Sequence, residues 1–397
     1  MMDIERLAKE VEGYVIKCRR YLHAYPEESC KEQKTTEFIL GELAEMGIAA
    51  QRFDDITGCV GTIEGGRGGA VVMLRADIDA LPIKEATGLT YASQNEGVMH
   101  ACGHDCHTAM LLGAAKILND NKEQIAGTVR LLFQMGEELG VNAGKYVERG
   151  ALDDVDAVFG MHVWSHVDAG RVNFEYGERM ACSDLFKIGI EGKLAHGSAP
   201  HQGRDAIVAA AASVMALQTI CSRQVDPLDS FVLSVGIMKG GTKENILSDY
   251  AELEGTVRTF NRDLRASMPR RIADIVENVA HGYGCIAKCE YRNGPAPLIN
   301  DDEQLVRIAR GAAAKVMGEE ALTPLTKMMG AEDFSALLEA APGVYGYLGV
   351  RNEAKGIVCS HHSPTFDVDE DVLYHGAGIY AQFAFDYLRE KAQAFAE

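Results

Sequence analysis

The sequence predicts a two-part α/β protein on three observations. Strand-like and helical runs alternate through the first 182 residues, the order changes to βαββαβ from about residue 183, and helical segments return after a linker rich in proline and glycine. The larger part, 1–182 with 296–397, should hold a mainly parallel sheet with helices on both faces. The segment 183–295 reads as an inserted ferredoxin-like domain.

Taken in order, residues 4–48 read as helices, because apolar positions recur at helical spacing in IERLAKEVEGYVIKCRRYLHAY and TTEFILGELAEMGI, with Pro26 between them. Strands follow at VVMLRADI, TVRLLFQM and AVFGMHVW, the first two separated by the helical TAMLLGAAKIL. Within the insert, DLFKIGIEG, FVLSVGIMKG, SDYAELEGTVRTF and CIAKCEYR read as strands. DAIVAAAASVMALQTI and RRIADIVENVAHGYG read as its helices. NGPAPLIND is the expected return linker, and EQLVRIARGAAAKVM and VLYHGAGIYAQFAFDYL are helices joined by a loop.

Composition narrows the function. A formal net charge of −19 over 397 residues repels nucleic acid and anionic membrane, so neither is an expected partner. No run approaches the roughly 18 consecutive apolar residues of a membrane span. The N-terminal stretch lacks a basic start followed by an apolar core, so a cytoplasmic protein is expected. Ten irregularly spaced cysteines suit reduced thiols better than a disulfide framework. Cys285 and Cys289 have no second pair to complete a zinc ribbon and read as strand residues.

The stretch MHACGHDCHTAM, residues 99–110, is the densest in reactive side chains. Cys102 and His104 flank Gly103 just ahead of a helix that Thr108 could cap, and a thiolate with an imidazole suits a zinc-like ion. A helix lead-in with incidental polar residues is the alternative. TVRLLFQM ends in Gly136-Glu137-Glu138, where one carboxylate could bind metal while its neighbour faces a water; a solvated turn is the plainer reading. His162 is placed at the end of the next strand, as a ligand or as a satisfied core histidine. Ligand crevices of open α/β sheets lie beyond the carboxyl ends of the strands, so Cys102, His104, Glu138 and His162 could converge there. His361 and His362 offer a fifth candidate, with His362 preferred.

The pattern resembles the di-metal aminoacylase and carboxypeptidase metallohydrolases, in particular the branch of hippurate hydrolases, N-acyl-L-amino acid amidohydrolases and auxin-conjugate hydrolases. The resemblance rests on LRADIDALPI, MHACGHDCHTAMLLGAA, GEE, GMHVW, AHGSAPHQGRDAI, GGTKENILSD, EGTVRTF, MGAEDFS and HHSPTFDVDED, which follow one another in family order along nearly the whole chain. NILSD and AHGSAPH depart from the family's common NVIPD and GHGAMPH but spare the residues used here.

The resemblance implies that Cys102, His104, Glu138, His162 and His362 hold two divalent ions, with Glu137 as general base and Asp79, with Asp77, as supporting carboxylates. It implies that His196 supports the oxyanion in a partner subunit's site, and that Asn245 and Arg258 bind substrate. On their residue types alone, His196 could cap a turn, Asn245 close a hairpin and Arg258 form a sheet-edge ion pair. One thiolate, three imidazoles and one carboxylate suit zinc, nickel, cobalt or manganese. The expected substrate is a small N-acylated amino acid, with a dipeptidase or carboxypeptidase as runner-up and a non-catalytic binding protein as the rival from another class. The insert is expected to serve as a lid and to assemble a homodimer.

Overall fold

The computed structural model describes residues 3–394. They gather into two units, the first comprising the chain as far as Gly177, Asn300–Thr326 and the chain from Ala336 onwards. The second comprises Glu178–Ile299 and Lys327–Ser335.

The first unit begins with α1 (Ile4–Glu10), α2 (Glu12–Ala24) and α3 (Gln33–Glu45). The first helical stretch is thus broken once, at Val11, whose amide reaches back three residues to the Ala8 carbonyl and tightens the last turn of α1. Next come β1 (Ala49–Arg52), β2 (Cys59–Glu64), β3 (Arg67–Asp77), α4 (His104–Asp120), β4 (Ala126–Gln134), β5 (Ala157–Asp168) and β6 (Val172–Asn173). The strand Gly343–Arg351 completes a seven-stranded sheet in the order β1, β2, β4, β3, β5, Gly343–Arg351, β6. Its four inner strands run parallel, whereas β1, β2 and β6 are antiparallel to their neighbours.

Helices flank this sheet, which explains why VVMLRAD is buried almost continuously and does not alternate with solvent. The α4 helix is buried along most of its length and packs against α2 and the helix Leu373–Ala394. Gly343–Arg351 had read as loop because glycines interrupt its apolar pattern. Those glycines are packing devices: a Cβ on Gly346 would overlap the Phe174 ring.

The second unit has its own core, built on Phe186, Ile188, Ile190, Leu253, Met268 and Ile272. Strands Asp184–Glu191, Phe231–Gly240, Tyr250–Thr259 and Ile286–Arg292 form an antiparallel sheet, with Tyr250–Thr259 and Asp184–Glu191 inside and the other two at its edges. With the helices Ala206–Thr219 and Arg262–Gly282 the chain order is βαββαβ, as expected for a ferredoxin-like unit. A turn of π-helix extends the first of these helices to Gln224, and 206–224 is the one described stretch long and apolar enough to match a membrane span by composition. Its face of Ala206, Ala209, Ala210 and Leu217 is buried in the unit's core.

Candidate metal centre

At the carboxyl end of the parallel strands, β3 delivers Asp77 as its last residue and Asp79 shortly beyond it. The loop that follows leads to Gly103, which occupies the position before α4 with φ of 92°. A side chain there would collide with Val163, so glycine is required twice over. The helix starts at His104, and Thr108 therefore lies inside it and does not cap it. Its hydroxyl instead donates to the Asp77 carbonyl at 3.0 Å, pinning α4 to the end of β3.

Beyond β4, Gly136 adopts φ of 63° and opens a single 3-10 turn, Glu137–Leu139. The solvated-turn alternative fails here, since Glu137 is only 9% exposed. His162 does not end its strand, because β5 runs on to Asp168. It nevertheless lies just past the last pair that β5 makes with β3, Arg75 with Gly160, and so beside the ends of the inner strands.

The donor atoms of Cys102, His104 and His162 lie within 4.8 Å of one another, and so do those of Cys102, Glu138 and His362. Cys102 belongs to both groups. The Glu137 carboxylate forms a further such group with His104 and Glu138. Cys102 Sγ is 3.4 Å from His162 Nε2, and Glu138 Oε1 is 3.4 Å from His362 Nε2.

Ring tautomers separate ligands from props. His104 Nδ1 donates to Asp79 Oδ1 at 3.0 Å, leaving a buried Nε2 with no hydrogen-bond partner. His162 Nδ1 donates to the Val163 carbonyl at 2.6 Å, so its Nε2 lone pair faces Cys102. When neutral, both rings thus present a bare nitrogen to the cluster, the arrangement a metal-ligating imidazole adopts. His107 is different: its Nε2 accepts the Val163 N–H at 2.8 Å and its Nδ1 donates to Asp77 at 2.5 Å. His361 is also used up, with Nε2 on the Val163 carbonyl and Nδ1 on Ser165 Oγ, both at 2.9 Å. Of the two adjacent histidines, His362 is the one grouped with Cys102 and Glu138, and it is held in the left-handed region at φ of 62°.

Electrostatics ask for a cation at this place. Burial, then Glu138 and Glu137, push the Cys102 thiol well above its ordinary range. Burial opposes protonation of His104, yet Asp77, Asp79 and Glu138 together raise it to about 10. Burial holds His162 well below the usual imidazole range, with His107 and His361 acting in the same direction. A buried thiol, two imidazoles and clustered carboxylates are donors that one or two divalent ions would satisfy together, a metal ion taking the place of the proton that the carboxylates hold on His104. The residues present therefore fit a metal centre.

Sequence reasoning had not singled out the frame around these donors. Arg75 donates to Asp77 Oδ2 and to Gln134, both at 2.8 Å. Fully buried Arg19 bonds Asp105, Tyr91, Asp367 and Glu370, holding the first turn of α4 to α2. Nothing in the polar motif around Arg19 marks it as internal. His107, by contrast, was visible in the motif, and its spacing of three from His104 on a helix puts the two rings on one face.

His196, Asn245 and Arg258 all belong to the second unit. His196 lies on a two-residue strand paired with Ile246–Leu247, and the Gly197 N–H bonds the Asn245 carbonyl at 2.7 Å, bringing the first two together. Ser198 N–H points at His196 Nδ1 from 3.1 Å, so neutral His196 carries its proton on Nε2. Arg258 donates to the Met329 carbonyl at 2.9 Å. Its strand is internal to the sheet, which overturns the sheet-edge ion pair.

Comparison with known proteins accords with this geometry. The chain is 42% identical to N-acetyl-L-cysteine deacetylase of Bacillus subtilis over 91% of its own length and 85% of that protein's. It is 39% identical to thermostable carboxypeptidase 1 of Saccharolobus solfataricus over 96% of each chain. The crystal structure of the Bacillus subtilis YXEP protein, described as a dinuclear metal-binding peptidase of the M20 family, superposes with a TM-score of 0.85 at 34% identity, covering 96% of this chain and 99% of that one. Residues 73–386 match the model of peptidase family M20/M25/M40, a span that takes in the cysteine, the histidines and the glutamate pair at the strand ends, and the chain belongs to that family.

Proposed function

We propose that the protein is a metal-dependent amidohydrolase that cleaves N-acyl amino acids, N-acetyl, N-benzoyl or similar, to a carboxylic acid and a free amino acid. The observation that carries this reading is the pair of donor groups joined at Cys102, with the Glu137 carboxylate alongside. On this proposal Cys102, His104, Glu138, His162 and His362 hold two divalent ions, drawn from zinc, manganese, cobalt and nickel. Such ions supply Lewis acidity, polarising an amide carbonyl and lowering the pKa of water from about 15.7 towards 7.

The remaining chemistry falls to the chain. Glu137 takes a proton from the attacking water and delivers it to the leaving amine nitrogen, while Asp79 keeps the His104 ring in the tautomer that offers Nε2. Asp77 supports His107 and, through Arg75, the end of β3. We assign His196 the oxyanion role through its Nε2–H, acting in a partner subunit, and Asn245 and Arg258 the substrate carboxylate.

We further propose that the first unit is the catalytic domain and the second a lid and dimerisation domain. Exposed apolar residues support the latter: Ile207, Val208 and Met215 on the helix, and Ile237 and Met238 on the edge strand. Ten free cysteines suit a reducing compartment, in keeping with a cytoplasmic location.

The likeness to a carboxypeptidase supports a second reading, cleavage of dipeptides or C-terminal residues at the same centre. Amino-acid release from N-acetyl and N-benzoyl amino acids beside simple dipeptides, with anaerobically prepared enzyme loaded separately with each metal, decides between them. Release from the acylated set alone is expected. Release from dipeptides alone would move the assignment to the second reading.

A further inference from the structure

The Glu137–Leu139 turn is fastened from a distant part of the chain. Glu32, fully buried ahead of α3, accepts the Gly136 N–H at 2.8 Å and the Cys30 N–H at 2.9 Å on Oε1. Its Oε2 accepts the Thr57 hydroxyl at 2.5 Å. One carboxylate thus ties together three separate segments through uncharged donors. Leaving a carboxylate in the interior without a cation is costly, and a role confined to capping α3 would not require it to reach across to Gly136.

Gly136 is the pivot of the turn. Its carbonyl accepts Asn142 Nδ2 at 2.7 Å, and the next two N–H groups, of Glu137 and Glu138, each reach an oxygen of Asp79 at 3.1 Å. Two buried carboxylates therefore fix three consecutive peptide N–H groups, Glu32 the first and Asp79 the others. Rotation of the Gly136 peptides would swing the Glu137 side chain; Glu32 opposes it from the amide side of Gly136, while Asn142 and Asp79 hold the carbonyl side.

We propose that Glu32 is a positioning residue for the catalytic turn, setting where Glu137 holds the proton it transfers. The proposal rests on the assignment of Glu137 as general base. Glu32 acts through backbone geometry, so shortening it should matter more than neutralising it. In Glu32→Gln the amide oxygen can still accept from Cys30 and Gly136, whereas Glu32→Asp draws the acceptor back by one methylene.

The test uses the full-length, metal-loaded enzyme and hydrolysis of an N-acetyl amino acid, with kcat, KM and bound metal measured for Glu32→Gln, Glu32→Asp, Glu32→Ala and Glu137→Gln. A misplacement of about 1 Å costs on the order of a hundredfold in rate, so Glu32→Asp and Glu32→Ala should lose about ten- to a hundredfold in kcat with KM within about threefold. Bound metal should be unchanged, and Glu32→Gln should restore kcat to within about threefold of the parent. If Glu32→Ala does not fold, the Asp and Gln variants decide alone. An unimpaired Glu32→Asp beside an inactive Glu137→Gln overturns the positioning role only. A Glu32→Gln as damaged as Glu32→Asp also overturns it, because charge and not geometry would then be at work. A fully active Glu137→Gln overturns the base assignment and this proposal with it.

Discussion

Asp79 bonds His104 Nδ1 at 3.0 Å and, with the same carboxylate, accepts the peptide N–H groups of both Glu137 and Glu138. A single side chain thereby orients the His104 imidazole at the start of α4 and the glutamate pair of the 3-10 turn. Replacing it with the isosteric Asp79→Asn keeps the shape but removes the charge that fixes the His104 tautomer. Metal affinity should fall about 10- to 100-fold. Competition with a chromogenic chelator measures this, and an unchanged affinity would show that the tautomer is set by something else.

Glu137→Gln should retain both metal ions and lose at least about a hundredfold in kcat, the scale of a general base. Metal content by mass spectrometry and turnover on the best acylated substrate test the two halves together. Near-normal turnover would remove Glu137 from the proton-transfer role.

Thiolate ligation is open to spectroscopy. The cobalt-loaded protein should show a sulfur-to-metal charge-transfer band in the near ultraviolet that Cys102→Ser lacks, whereas Cys106→Ser should retain it, since Cys106 is buried within α4 and outside both donor groups. Persistence of the band in Cys102→Ser would place another cysteine at the metal.

Arg19 is the cation of a buried cluster that includes Asp105 at 3.1 Å. Arg19→Met removes the charge and leaves His23 as the partner of the buried Asp105 carboxylate, and loss of one partner of a buried ion pair costs up to about 3–5 kcal/mol. A urea titration should reveal it as a lower midpoint with similar slope. A shift below about 1 kcal/mol would mean that the cluster relaxes without it.

The same cluster predicts a pH response. Burial and Arg19 push His23 down, but its bonds to Asp105 and Glu85 raise it overall above the ordinary 6.5. Its contribution is therefore complete below 6.5 and lost as pH rises through the raised folded value. Burial would raise Glu85, yet its bonds from His23, Thr87 and Ser93 prevail and take it from 4.5 to about 2. That contribution is present above 4.5 and lost as pH falls through about 2. Unfolding midpoints measured across pH should be flat between these limits for this pair, and His23→Gln should weaken both the alkaline fall and the acid resistance.

Residues with strong chemistry and tight spacing were legible in the sequence. Cys102, His104, Glu138 and His162 fall on a loop, a helix start, a 3-10 turn and a strand beside the ends of inner strands, and period and composition are enough to locate such ends. What escaped was whatever works by being buried against expectation. Glu32 lies in PEESCKEQ, which reads as surface, and Arg19 lies among charged helix residues, so no local pattern reveals either as internal. Gly343–Arg351 was hidden by glycines whose purpose is visible only once Phe174 is in place. Thr108 looked like a cap because the helix start was set four residues late.

Cys102 is common to both donor groups, and a sulfur ligand can be oxidised where nitrogen and oxygen ligands resist. On the proposed ligand set, conversion of that one atom to a sulfinic acid would strip a ligand from each ion position in a single event. Aerobic ageing should therefore produce two populations, intact molecules with two ions and spent ones depleted at both positions, and few with one. Activity lost in air should track loss of total metal in proportion, and a thiol added afterwards should restore only molecules arrested at the sulfenic stage.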